Sequence, residues 1–176
     1  MPEARKLMSY IASFDPDLAL TADSVPVSLL LKQRRPDRRQ TVLIVLGNDI
    51  SAQIADYGAA EVLRQAVDQR VAPGPDRWAA VVTEGAIAKE SRFAECALIA
   101  IGGPMVNPLT AGCQSLATDH RTPTDSHRLQ VWQSSHEQPR MCVWGLSAGD
   151  TNEAARAAIS SGALDEFLEL AWKPRG

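Results

Sequence analysis

The chain has 176 residues, 45% of them hydrophobic, with 18 Lys and Arg against 21 Asp and Glu for a formal charge of -3. That composition supports one substantial apolar core and argues against wholesale disorder, and the near balance of charge supplies no broad positive field for a polyanion, so nucleic acid is a poor partner. No stretch approaches the ~20 apolar residues of a membrane span, and the first residues lack the apolar segment and cleavage site of a signal peptide, so no membrane association and a cytoplasmic location are expected.

In chain order, residues 1–40 read as an N-terminal helical segment followed by a basic connector, and residues 41–176 as a single α/β domain. Over 3–13, charge and apolarity alternate as in a short helix with Leu7, Tyr10 and Ile11 on one side. Asp15-Pro16-Asp17 interrupts it, and residues 27–31 fit a helical turn or an edge strand equally well. Lys32, Arg34, Arg35, Arg38 and Arg39 surround Pro36 and Asp37 as a solvated connector. Residues 41–46 are the first strand, an aliphatic run without polar interruption until Gly47-Asn48-Asp49. Ser51 then caps a helix to about residue 71, with Ile54, Tyr57, Val62, Ala66 and Val67 at helical spacing. Pro73-Gly74-Pro75 stops it.

Residues 78–83 form a second strand, 84–95 a mixed stretch, and 97–101 a third strand. A helix follows from Thr110 to about Leu116, and the polar run 117–126, which has no periodicity, reads as a surface loop. Residues 127–133 and 140–145 read as two strands that pair as neighbours. The last helix, about 151–172, takes Asp150 and Thr151 as caps, buries Ala155, Ala158, Ile159, Leu164, Phe167, Leu168 and Ala171, and is open to a break at Gly162. Together these predict a three-layer Rossmann-like α/β domain whose mainly parallel sheet has about five strands, near 41, 78, 97, 128 and 141.

The most informative segment is 97–110, where an apolar strand runs straight into Gly102-Gly103-Pro104-Met105-Val106-Asn107. Ligands of open α/β sheets bind beyond the carboxyl ends of such strands. Three strand ends gather on one edge if the strands are parallel: Gly47-Asn48-Asp49, Gly102-Gly103-Pro104, and 145–150. The candidate ligand-binding residues are therefore Asp49, Gly102, Gly103, Pro104, Asn107, Asp150 and Thr151. Glycines there permit close approach of backbone to ligand, and helix starts present free amides. Neither familiar phosphate-loop pattern occurs. The same residues also read as a strand-to-helix turn in which Asn107 braces a loop and Asp49 caps a helix.

Gly145-Leu146-Ser147-Ala148-Gly149 matches the Gly-x-Ser-x-Gly nucleophile elbow, after a strand and before a helix. Ser147 is the one catalytic candidate. No histidine follows it, so a triad would draw on His120, His127 or His136 with Asp119, Asp125 or Glu137, against the usual chain order. These histidines have no metal-site spacing, and no metal is expected. Cys96, Cys113 and Cys142 are odd in number and far apart, which argues against a disulfide framework. Cys142 reads as a core residue and Cys113 as the more reactive thiol. Trp78, Trp132, Trp144 and Trp172 read as core anchors, with Trp132 and Trp172 the candidates for a partner surface.

The Ile-Gly-Gly-Pro-x-Val-Asn-x-Leu-Thr stretch, with the later Val-Trp-Gly, Asp-Thr and the alanine-rich helix ending Leu-Asp-Glu-Phe-Leu, resembles an uncharacterised bacterial family of Rossmann-like domains over residues 41–172. The Gly-Gly-Pro-x-x-Asn loop alone is similar to segments of archaeal surface-layer proteins. The resemblance implies the fold and the importance of 102–110, and implies no catalytic residue or cofactor. The functional expectation is a non-catalytic binding or assembly domain with a nucleotide-like or protein ligand at this edge, either as a subunit of a homo-oligomer or alone. The alternative is a hydrolase using Ser147.

Overall fold

The computed structural model describes residues 40–71, 77–89, 93, 95–114, 119–124, 127–132 and 138–173. The N-terminal helical segment and basic connector expected before residue 40 lie outside them. The elements in order are β1 (Thr41–Leu46), α1 (Ile50–Arg70), β2 (Trp78–Thr83), α2 (Glu84–Lys89), β3 (Ala97–Ile101), α3 (Pro108–Gln114), β4 (Asp119–Thr124), β5 (His127–Trp132), β6 (Arg140–Gly145), α4 (Ala148–Ser160) and α5 (Ala163–Ala171).

β1 and β3 are buried at every position, which is why both read as unbroken aliphatic runs: a strand covered on both faces has no polar side. They sit at the centre of a sheet ordered β2-β1-β3-β6-β5-β4. The first four strands are mutually parallel, while β5 and β4 continue the sheet antiparallel. The parallel part therefore has four strands and not about five, because the strand near 128 pairs with β6 in the opposite sense. The loop expected over 117–126 is corrected to strand β4 at the sheet edge. Its Pro123 and the register irregularity between Arg121 and Thr124 are devices of an edge strand, where a missing N–H costs no ladder bond.

Alternate side chains of the central strands go to opposite faces. Val42, Ile44, Leu46, Ile99, Ile101, Met141 and Val143 pack with Ala59, Ala60 and Leu63 of α1, Ala154, Ala155 and Ala158 of α4, and Leu164 and Phe167 of α5. Leu43, Val45 and Leu98 face the other way, onto Ile87 of α2, Phe93 and Leu109 of α3. The result is three layers. Cys96 and Cys142 are buried, Cys142 as the sequence implied.

Several helix boundaries differ from expectation: α1 starts at Ile50 with Asp49 and not Ser51 as its cap, and α3 starts at Pro108 and not Thr110. The stretch after β2 forms α2, too short to show a period, with the Ala86 N–H bonded to Thr83 Oγ1 at 3.3 Å. The C-terminal helix starts at Ala148, capped by Ser147 and not by Asp150 or Thr151, and divides at Gly162, whose φ of +79° ends α4 and opens α5. At the opposite edge from the strand ends, Trp172 Nε1 donates to the Gln40 carbonyl at 3.1 Å beneath the Arg77 guanidinium, 5.0 Å from the ring centre, so this tryptophan serves as a clasp. Phe167 is fully buried among α1, α4 and the sheet. Phe167→Ala is expected to cost about 3–5 kcal/mol, measured as a lowered urea midpoint at unchanged m-value.

Candidate functional site

The parallel register brings Leu46 of β1, Ile101 of β3 and Val143 of β6 to one level, so the loops after these strands share an edge, as expected. β1 has β2 on one side and β3 on the other, which makes the β1/β3 gap the switch point where doubly wound sheets open a ligand crevice. Here that gap is filled by protein. A Cβ built on Gly47 would lie 1.9 Å from the Val106 carbonyl oxygen, so glycine at 47 makes room for the β3–α3 loop and not for a ligand.

Asn107 holds that loop. It has no exposed surface. Its Nδ2 donates to the carbonyls of Val45 at 3.0 Å and Ile101 at 2.9 Å, and its Oδ1 accepts from the Leu109 N–H at 3.1 Å. Both amide hydrogens are thus spent on the ends of the two central strands, and Asn107 is a brace, not a ligand contact. The buried Thr110 hydroxyl adds a bond to the Gly102 carbonyl at 2.8 Å. From α1, the buried Gln53 donates Nε2 to the Gly47 carbonyl at 2.6 Å, leaving its Oε1 without a partner.

The other candidates are also helix-start chemistry. Asp49 caps α1, Oδ1 accepting from Ala52 N–H at 2.9 Å. Ser147 and Asp150 form a capping box on α4: Asp150 Oδ2 accepts from the Ser147 N–H at 3.0 Å and from its hydroxyl at 2.7 Å, while Ser147 Oγ accepts from the Asp150 N–H at 3.2 Å. Ser147 has φ -132° and ψ 169°, ordinary extended backbone. A nucleophile elbow needs a strained turn and a hydroxyl hydrogen bonded to a base, so the literal Gly-x-Ser-x-Gly match has the geometry of a cap. Of the histidines, His127 pairs in the β5–β6 ladder with Gly145, His120 with Gln130 of β5, and His136 lies outside the described residues. Thr151 is buried, its Oγ1 accepting from the Gly145 N–H at 3.2 Å and lying 3.1 Å from the Ser147 carbonyl.

The open space lies one strand over, at the ends of β3 and β6: a crevice of about 370 Å³ between the start of α1, the 103–106 loop and the 144–148 turn. Gly103, Pro104 and Thr151 line it. So does Asp56, which sequence reasoning missed. Asp56 belongs to the buried face of α1, with Gln53, Ala59, Ala60 and Leu63. The expected face was wrong at Ile54, which is 65% exposed. Extending the Leu63–Ala60 stripe back by a turn lands on Asp56, and the signal was a polar residue at a core position. Its carboxylate abuts Gly102: φ there is +96°, and an added Cβ would sit 2.6 Å from Asp56 Oδ2. Burial raises the Asp56 pKa, and a hydrogen bond with the Thr151 side chain only partly opposes it.

No protein-family model matches the chain, and no curated protein matches it.

Two outcomes follow from this geometry. Asn107→Ala removes three hydrogen bonds, to the Val45 and Ile101 carbonyls and from the Leu109 N–H, and is expected to cost roughly 2–4 kcal/mol in urea unfolding. Because Asp56 holds its proton more tightly folded than unfolded, stability falls as pH rises from about 4 through the folded pKa, and the deficit persists at neutral pH. Asp56→Asn should therefore raise the melting temperature at pH 7, with the gain shrinking toward pH 4; a loss at pH 7 would mean the carboxylate is stabilising.

Proposed function

We propose that this is a non-catalytic binding domain that docks a protein segment on the carboxyl edge of its sheet, with an apolar side chain of the partner seated in the β3/β6 crevice. The observation that carries this reading is the distribution of exposed apolar bulk. Among the residues whose side-chain exposure is described, which leave out β4 and β5, the exposed large hydrophobics are Ile50, Ile54, Met105, Val106 and Leu146, and every one belongs to the start of α1 or to the two loops that border the crevice. Met105 is 94% exposed and Leu146 77%. Side chains of this kind, gathered around a concavity instead of scattered singly, are the mark of an interaction surface.

A nucleotide-like ligand has less support. The starts of α1 and α4 carry their own carboxylates, Asp49 and Asp150, which occupy the amides an anion would use, and the described crevice lining contains no Lys or Arg. The resemblance to bacterial Rossmann-like domains and a cytoplasmic setting remain part of the proposal. No helix among the described residues is long and apolar enough to cross a membrane.

A displayed library of short random peptides tests the reading. Selected peptides are expected to be rich in apolar side chains and to bind about 10- to 100-fold more weakly to Leu146→Asp, which removes the burial of one leucine, while unfolding of that variant stays unchanged. Thermal stabilisation by nucleotides or phosphate, lost in the same variant, would overturn it. Concentration-dependent self-association abolished by Leu146→Asp would make the partner a second copy of the chain.

A further inference from the structure

We propose that the group recognised at the floor of the crevice is a primary ammonium carried on an apolar body, with Asp56 as its counter-ion. This rests on the reading of the crevice as a binding site and specifies what it selects.

Asp56 is 7% exposed and lines the crevice. A carboxylate has room for about four hydrogen bonds, and among the described residues the side chain bonded to it is Thr151. That hydroxyl has a single hydrogen, for which the Ser147 carbonyl at 3.1 Å competes. The carboxylate is therefore under-bonded, and no cation of the described lining balances it. A buried charge without a partner is a standing cost to the fold, whereas asparagine would fit the same space uncharged. What removes the cost is a donor brought by the ligand.

The surroundings narrow the donor. Chelated metal does not fit, since no group of three or more His, Cys, Asp or Glu among the described residues is arranged to hold an ion. A guanidinium prefers a planar, two-oxygen fork, but the Oδ2 side of Asp56 is pressed against the Gly102 backbone. An ammonium is compact and satisfied by one oxygen. The remaining lining, including Ala52, Ala55, Ala148 and Trp144, offers apolar contact for a hydrocarbon chain. The space is that of a small-ligand site, ample for a lysine side chain or an amino-terminal residue.

The probes are n-hexylammonium, 1-hexanol and hexanoate, followed through the amide resonances of Gly103, Gly145 and Thr151. The wild-type protein is expected to bind hexylammonium at least ~10-fold more tightly than hexanol, equivalent to about 1.4 kcal/mol, and hexanoate most weakly of the three. Asp56→Asn should erase the difference between amine and alcohol while leaving hexanol binding in place. Equal binding of amine and alcohol to the wild type, or an amine preference that survives Asp56→Asn, overturns the inference. The two proposals fail separately. If selected peptides bind and neither Lys→norleucine in the peptide nor Asp56→Asn affects them, the ammonium is wrong and the docking edge stands. If hexylammonium binds in an Asp56-dependent way and no peptide does, the crevice is a small-amine site and protein docking is wrong.

Discussion

The carboxyl edge of the sheet depends on one buried amide. Asn107 joins the Val45 and Ile101 carbonyls, near the carboxyl ends of β1 and β3, with its two hydrogens. With the Thr110 bond to the Gly102 carbonyl, that bridge holds the 103–107 loop against Gly47 and closes the switch point of the sheet. With it, the loop becomes a wall, and the wall defines the crevice beside it. A residue that looks like a ligand contact in sequence is thus the part that decides where a ligand can and cannot go.

The second constraint is the proximity of α1 and α4 over the sheet. Alanines dominate their buried faces, Ala59 and Ala60 on one helix and Ala154, Ala155 and Ala158 on the other, and Gly58 stands against Asn152, whose Oδ1 would be 3.3 Å from an added Cβ. Small residues let the helices approach, so Asp56 of α1 reaches Thr151 of α4. Thr151 in turn bonds to the Gly145 N–H, linking the carboxylate to the end of β6. The carboxylate is thereby held between the Gly102 backbone and the Thr151 side chain.

The sequence was legible where packing is two-sided or the chain must break. β1, β2, β3 and β6 announce themselves as aliphatic runs, and Gly162 marks the division of the last helix. β4 was hidden because Asp119-His120-Arg121-Thr122-Pro123-Thr124 has no apolar alternation; it is a strand because β5 offers a backbone to pair with. The edge that holds the crevice was legible from the three glycine-bearing strand ends. Their use was not. Whether Gly47 admits a ligand or the Val106 carbonyl depends on which strands are neighbours, information that no local pattern carries. Asp56 was missed because the first turns of α1 invert the usual rule, with Gln53 and Asp56 inside and Ile50 and Ile54 outside. Ser147 is the opposite case: a motif matches letter for letter, while its backbone angles and its Asp150 partner are those of a cap.

The clasp between Trp172 and Gln40 joins residues 132 apart in the chain, and α5 supplies Leu164 and Phe167 to the same apolar layer as Val42 and Ile44 of β1. During synthesis, β1 therefore emerges long before the helix that covers it. The central strands must wait, with their α1-side face only partly covered, until the last turn of α5 leaves the ribosome, and the sheet reaches its final cover in one late step instead of layer by layer. A chain that stops at Gly162 would hold every strand and both edge loops, yet leave open the place that Phe167 fills.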